Sequence, residues 1–356
     1  MFDEALGEAR RQAEICNACR YCEGYCSVFP AMFDKRSFDD ADVTQLANLC
    51  HNCRGCYYAC QYTEPHEFSL NLPAALAELR HESWKECAWP GFLGKAFDRS
   101  GIVMSLILLI GFAVLFWIAS NLRPESGEGF YAVMSHSLMV AIFAPAFLLP
   151  LFAIAISVVR YWKIVGGGTF RLADFMAAIK DAATMRNLKG GHGDGCNFED
   201  TDRYTHGRRH FHQATLWGFI LCFASTCSGT VLHYGFGIYA PYELISLPKI
   251  LGISGGVLLC AGTAGLAKLK LKADPDLGAA RIWGGEMAFV LLLFFVSFTG
   301  LALYAATGTQ AVSWLLPIHL GAVLTFFLVT PYSKMAHGFY RMAALTMDAK
   351  RKRLST

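Results

Sequence analysis

Residues 102–119 read IVMSLILLIGFAVLFWIA, eighteen positions without a single Asp, Glu, Lys or Arg. An α-helix rises 1.5 Å per residue, so the run covers roughly 27 Å, close to the hydrocarbon thickness of a bilayer. In an open chain only a helix satisfies its own backbone hydrogen bonds there. Five more runs free of those four residue types follow, at 137–159, 214–232, 250–267, 287–306 and 311–330. The sequence therefore predicts a six-span helical bundle over residues 99–345. Composition agrees, with 54% hydrophobic and 17% charged residues among 356, against about 25% charged in soluble domains. The run ILGISGGVLLCAGTAGLA at 250–267 is glycine-rich and is expected to pack closely against its neighbours.

Charge gives the orientation. Six crossings put the N-terminal segment, the 160–212 loop, the 268–283 loop and the C-terminal segment on one side. These carry 29 of the 31 Lys and Arg residues; Arg123 and Lys249 lie opposite. Positive charge stays inside, so both termini are expected in the cytoplasm and the protein in a bacterial cytoplasmic (inner) membrane. The opening MFDEALGEARRQAEIC is charged and helix-patterned, without the apolar core of a signal peptide. The KRKR at Lys350–Arg353, in a basic tail over 346–356, follows the same charge rule. A net charge of +3, with no basic run interleaved with aromatics, argues against nucleic acid as a partner.

Upstream of the first span, residues 1–98 are polar and cysteine-rich. Cys16–Cys26 reads CNACRYCEGYC and Cys50–Cys60 reads CHNCRGCYYAC, both C-x2-C-x2-C-x3-C. In a reducing compartment such spacing speaks for metal rather than disulfides. Structural zinc uses two C-x2-C pairs with four ligands in total, whereas three close thiolates plus one remote thiolate suit a [4Fe–4S] cluster. In two-cluster proteins the fourth cysteine serves the neighbouring cluster. The expected sets are thus Cys16, Cys19, Cys22 and Cys60 for one [4Fe–4S] cluster, and Cys50, Cys53, Cys56 and Cys26 for the other. No proline follows either fourth cysteine; Ser27 and Gln61 stand there. Cys87, Cys196, Cys222, Cys227 and Cys260 share no spacing and read as structural.

Histidines border the spans, where ionisable groups are functional candidates by default. His319 lies in span six and His337 follows it by 18 residues, five helical turns that would bring both to one face. Span three is bracketed by His210 and His212 at its start and His233 at its end; His136 opens span two. A b-type haem in a bundle takes one imidazole from each of two facing helices at equal depth. The expected haem-iron pairs are His212 with His337 on the cytoplasmic side, and His319 with His233, or with His136 in its place, on the periplasmic side. That leaves one or two haem b groups. Arg208 and Arg209 lie at the level of haem propionates. His51, His66, His81, His192 and His206 read as ordinary surface or loop residues.

Within the 160–212 loop, GGGTF at Gly166 and GGHGDG at Gly190 match no phosphate-binding motif. The stretch Arg171–Leu188 has the apolar spacing of a surface helix at the bundle mouth. In the head, FDDADVTQLANLC places Asp residues ahead of Val43, Leu46, Ala47 and Leu49 at helical spacing. Strand signals are scarce. The expected fold is all-α: a cytoplasmic α-helical ferredoxin-like domain with two [4Fe–4S] clusters, then a six-helix transmembrane cytochrome b bundle.

These residues carry a resemblance. The head looks like the α-helical ferredoxin domain of succinate dehydrogenase and heterodisulfide reductase subunits. HLGAVLTFFLVTPYSKMAH resembles the last haem helix of the nitrate reductase γ-subunit family, with the same 18-residue histidine interval; the earlier helix departs, since Cys222 stands ten residues after His212. RRHFHQATLWGFILCFAST, VLHY, GLALYAATG and PYSKMAHGFYR, behind twin cysteine motifs, are similar to the tricarballylate-utilization protein B family, also called citrate-utilization protein B, to which the C-terminal half of the cobalamin-pathway protein CobZ is related.

The resemblance implies the membrane partner of an FAD-dependent dehydrogenase of the tricarballylate dehydrogenase type. Clusters in the cytoplasm, haem in the bilayer and quinone in the lipid make an electron-transfer oxidoreductase subunit that re-oxidises the flavoprotein. A membrane-bound reductase acting directly on a substrate such as a disulfide is the alternative.

Overall fold

The computed structural model describes residues 1–122, 134–191, 193–197, 203–275 and 277–355, so Arg123 and His192 lie outside the described residues. In chain order the helices are α1 (Phe2–Cys19), α2 (Val28–Phe33), α3 (Asp40–Leu49), α4 (Gly55–Tyr58), α5 (Leu72–Cys87), α6 (Gly91–Leu122), α7 (His136–Ile164), α8 (Leu172–Ala183), α9 (Gly207–Phe236), α10 (Leu247–Leu271), α11 (Ala280–Ala305), α12 (Val312–Val329) and α13 (Ala336–Ser355). Among the described residues there is no strand, and one antiparallel bridge pairs Cys196 with Thr205. The chain is all-α.

Six of these helices, α6, α7, α9, α10, α11 and α12, are long and apolar enough to cross a membrane, and each carries one of the uncharged runs. Their large apolar side chains face outward: Ile102, Val103, Leu106 and Ile107 on α6 are exposed, as lipid contact requires and water would penalise. α6 bends at Ser100 (φ −143°, ψ 21°), which separates its first turns from the apolar run. The close packing expected of residues 250–267 occurs between α10 and α9. A Cβ on Gly218 would lie 2.5 Å from the Leu259 nitrogen, and one on Gly262 2.5 Å from Thr215 Oγ1. Glycine alone lets these backbones touch.

The opposite face of α9 is held off at side-chain length. Phe223 stands against Phe147 of α7 (ring centroids 5.9 Å) and Phe219 against Phe326 of α12 (5.9 Å).

α12 stops at Val329. Pro331 disfavours helix in the residue before it and cannot continue the hydrogen-bond ladder, so the chain turns at 330–335 before α13 begins. His319 and His337 therefore sit on two helices rather than on one face of a single helix.

The head is built on α1, α3 and α5. Asp39 caps α3 by accepting from the Asp42 N–H (2.8 Å), and Val43, Leu46, Ala47 and Leu49 are buried as their spacing foretold. The same apolar core takes in Tyr161 of α7 and Tyr340 and Ala344 of α13. Buried hydrogen bonds cross it: Tyr161 donates to Gln45 Oε1 (2.6 Å), Gln45 donates to the Ala344 carbonyl (2.9 Å), and Trp84 donates to Asn48 (2.8 Å) while stacking on Tyr340. The head and the last helix thus share one interior.

The basic end is not a loose tail. α13 runs on to Ser355, packed on α8. Arg353 makes two bonds to Asp174 of α8 (2.9 and 3.0 Å), and Lys350 donates to the Gly167 carbonyl (2.6 Å). α8 lies inside the stretch expected to form a surface helix.

Candidate redox site at the head of the bundle

Each cysteine motif is wound by turns that need left-handed backbone. α1 ends after Cys16 and Cys19, with Arg20 at φ 58° turning the chain so that Cys22 and Cys26 fall beyond it. In the second motif Asn52 (φ 50°) and Arg54 (φ 63°) reverse the chain twice between Cys50 and Cys56. Such conformations cost about 1 kcal/mol or more for non-glycine residues and persist where surroundings over-determine them.

The thiols sort across the motifs. Cys16, Cys19, Cys22 and Cys60 line one cavity of about 220 Å³, with Cys56 at its wall. Cys26 instead lies among Cys50, Cys53 and Cys56; burial, and after it the neighbouring thiols, pushes Cys26 and Cys56 well above the usual thiol range. Cys16 and Cys22 are pushed up to about 12, chiefly by burial and then by Cys60. Backbone N–H groups already point at two sulfurs, Asn52 N–H at Cys50 (3.3 Å) and Tyr62 N–H at Cys60 (3.4 Å). Among the described residues, no three His, Cys, Asp or Glu side chains converge on a point suited to one bare ion. A cubane spreads its four thiolates over four irons and does not ask for such convergence.

A ninth thiol enters here, one the sequence reading set aside. Cys196, 1% exposed, comes from the 160–212 loop and packs with Cys53, Met185 and Leu188. It lies within hydrogen-bonding reach of the Cys53 sulfur, which holds the Cys53 thiol below its usual range despite burial. Its position rests on the Cys196–Thr205 bridge and on Gly195 (φ 106°), where a Cβ would lie 2.1 Å from the Thr205 carbonyl oxygen.

Positive charge surrounds the second motif. Arg80 donates to the Cys50 carbonyl (2.7 Å), Arg341 to the same carbonyl (2.6 Å) and to that of Leu49 (3.3 Å), and Arg208 to the Asn52 carbonyl (2.5 Å). Arg80 and Arg341 make no ion pair with a carboxylate among the described residues. Burial brings Arg341 down to about 9, so it is still cationic at neutral pH. Buried cations of this kind are costly unless an anion faces them. Arg208, expected at a haem propionate, donates here to the Asn52 carbonyl of the second motif, and Arg209 donates to the Thr184 carbonyl (3.1 Å).

Immediately beyond stands a histidine pair. His212 on α9 and His337 on α13 face each other edge to face with ring centroids 5.9 Å apart. Two imidazole nitrogens, each about 2 Å from a shared metal, put their ring centroids about 6 Å apart. His337 Nδ1 donates to the Lys334 carbonyl (2.5 Å), which fixes its tautomer and turns Nε2 outward, the usual support of a ligating histidine. Burial and the nearby Lys334 hold His337 well below the ordinary imidazole range, and hence neutral. The buried Nδ1 of His212 has no hydrogen-bond partner among the described residues. His51, bonded through Nδ1 to the Leu49 carbonyl (2.9 Å), is half-buried with Arg341, Arg208 and His212 as its charged or titratable neighbours, next to both the second cysteine motif and the histidine pair. It had read as an ordinary head residue.

The other end of the bundle does not fit iron in this way. His136 and His233 stack face to face at 4.0 Å, too close to admit a metal between the rings. His319 turns to α11, with Nδ1 3.0 Å from Thr299 Oγ1 and its ring against Gly300. The expected pairing of His319 with His233 or His136 is thus not the arrangement found. His319 is half-buried against α11, and the spacing argument that linked it to His337 fails at Pro331. His66 joins Tyr62 and Phe68, His81 pairs with Asp98, and His206 lies near His210.

Residues 98–355 match the family model described as citrate utilization protein B, and residues 9–86, which hold all eight motif cysteines, match the citrate utilization protein B Fer4-like domain. The citrate utilization protein B of Escherichia coli is 42% identical over 358 residues, covering 99% of this chain and 94% of that protein. No solved structure matches.

Proposed function

The chain belongs to the citrate utilization protein B family, and from that premise we propose that it is a membrane electron-transfer subunit that re-oxidises an FAD-dependent dehydrogenase acting on a tricarboxylate such as citrate or tricarballylate, and delivers the electrons to quinone. Cys16, Cys19, Cys22 and Cys60 would hold one [4Fe–4S] cluster, and Cys50, Cys53, Cys56 and Cys26 the other. His212 and His337 would hold one haem b. Such groups supply reversible one-electron transfer when bound.

The chain's own residues do the rest. The first thiol set lines an open cavity at the head surface, where a soluble partner can approach. Arg80, Arg341 and Arg208 hold the second motif's backbone and place positive charge beside it. His51 has Arg341, Arg208 and His212 as neighbours and so stands next to both the second motif and the histidine pair. The head's shared core with α13 fixes the distance between the two sites, which a flexible tether would leave to chance.

The observation that carries this reading is the succession, among neighbouring side chains, of a thiol quartet, a set of arginines and an imidazole pair at iron spacing. Its test is the purified full chain, with iron, acid-labile sulfide and haem counted per polypeptide and optical and EPR spectra recorded. About eight cluster irons and one haem are expected. Zinc in place of iron, or no reducible Soret band, would overturn it. Reduction of those centres by a tricarboxylate dehydrogenase and its substrate tests the partner.

A further inference from the structure

Where α6 bends at Ser100, its first turns part from α5 and α11 and leave a cavity of about 380 Å³, within the range of small-molecule sites. Trp84 of α5, Phe97 and Ile102 of α6, Phe289 of α11 and Tyr332 of the 330–335 turn form its apolar wall. Ile102 and the adjacent Val103 are 43% and 57% exposed on the lipid-facing side, so the cavity meets the bilayer at its edge. The opposite rim is polar: His81 Nε2 is 2.6 Å from Asp98, and His81 is 30% exposed. Lys334 and Arg80 lie in the same wall.

Two contacts tie this cavity to the redox site. Arg80 donates to the Cys50 carbonyl (2.7 Å), and the Lys334 carbonyl accepts from His337 Nδ1 (2.5 Å). One side chain therefore separates the cavity from a cysteine of the second motif, and one backbone carbonyl separates it from a histidine of the pair.

Most of the charges in the wall are paired. Lys85 pairs with Glu82 (2.6 Å), Arg281 with Glu82 (2.7 Å) and Asp98 (3.1 Å), and Lys334 with Glu286, which also takes Lys270 (2.7 Å). Arg80 in the same wall is turned to the Cys50 carbonyl (2.7 Å), and the apolar wall and lipid-side edge suit a neutral, lipid-soluble molecule with hydrogen-bonding oxygens. We infer that this cavity is the quinone site, its ring between Trp84 and Phe97 and its tail leaving past Ile102 and Val103. The inference rests on the proposed electron carrier and adds the place of its last step.

Conversion of quinone to quinol takes two electrons, delivered singly from the reduced one-electron centres of the chain, and two protons, one to each ring oxygen. The His81–Asp98 pair at the wet rim lies on the route from water for those protons, so they are drawn from the head side. Quinone reduction then moves no charge across the bilayer.

The test uses the full chain with its bound cofactors in lipid nanodiscs and decylubiquinone as probe, following quenching of tryptophan fluorescence and labelling by an azido-quinone. Gly284→Phe fills the cavity, since a Cβ there already lies 3.3 Å from Ile102; Ile102→Trp blocks its lipid edge. Both should raise the Kd for decylubiquinone at least tenfold while cofactor content stays at the parent value, and label should fall on α5, α6 and α11. Should Gly284→Phe fail to fold, Ile102→Trp decides, because its side chain faces lipid. Affinity within twofold of the parent in the folded variants, or label confined to α7, α9 and α10, would overturn the inference. A parent chain lacking iron and haem would instead sink the electron-carrier reading, whichever way the quinone data fell.

Discussion

Arg341→Met removes one buried positive charge beside the second cysteine motif and keeps most of the side chain's volume. Arg341 remains cationic at neutral pH, because burial lowers it only to about 9. Its guanidinium donates to the Cys50 carbonyl at 2.6 Å; standard backbone dimensions then put the charge about 7 Å from charge carried on that residue's own thiolate. One unit charge at about 7 Å, at an effective dielectric constant near 20, contributes roughly 2.4 kcal/mol. For a one-electron couple that is roughly 100 mV. Delocalisation of the added electron over the cluster reduces this, so Arg341→Met is expected to make the second cluster's midpoint more negative by about 50–100 mV. EPR-monitored potentiometry on membranes measures it, with the first cluster as internal reference because Arg341 bonds the Leu49 and Cys50 carbonyls and not the first thiol set. Arg341→Lys keeps the charge and should recover most of the shift, though not the paired hydrogen bonds. A change under about 20 mV, or an equal change at both clusters, would refute the screening argument.

Three further outcomes are expected. His337→Ala and His212→Ala should each abolish the reducible Soret band while cluster iron stays at about eight per chain; full pigment in both variants would end the haem assignment. Cys196→Ala should shift the second cluster's midpoint to more negative values by removing a hydrogen bond to Cys53, whereas Cys196→Ser should largely restore it; identical titrations for all three proteins would reduce Cys196 to packing. Gly262→Leu forces apart backbones that a Cβ would approach to 2.5 Å and should destabilise the bundle by about 1–3 kcal/mol. Reversible unfolding in detergent reads that loss, and unchanged stability would contradict the α9–α10 contact.

What could be read directly was local or periodic. Uncharged runs long enough for a bilayer gave six helices because backbone hydrogen bonding in lipid allows little else. Asp39 and the apolar spacing after it marked α3, since a cap and its first turn are neighbours in the chain. The repeated cysteine spacing implied that Cys60 and Cys26 would exchange partners; in the structure Cys60 lines one cavity with Cys16, Cys19 and Cys22, and Cys26 has Cys50 and Cys53 as neighbours. Pro331, plainly visible, should have warned against running one helix from His319 to His337.

Tertiary structure decided the rest, because the deciding contacts join residues with no shared period. Arg341 meets Cys50 across 291 positions, Cys196 reaches Cys53 from a loop that carried no motif, and His51 gains its meaning only when α9 and α13 arrive beside it. The cavity at Ser100 exists because one helix bends away from two others. Spacing along a chain fixes which side chains share a face; which faces then meet, and whether metal fits between them, depends on packing energies summed over the whole bundle.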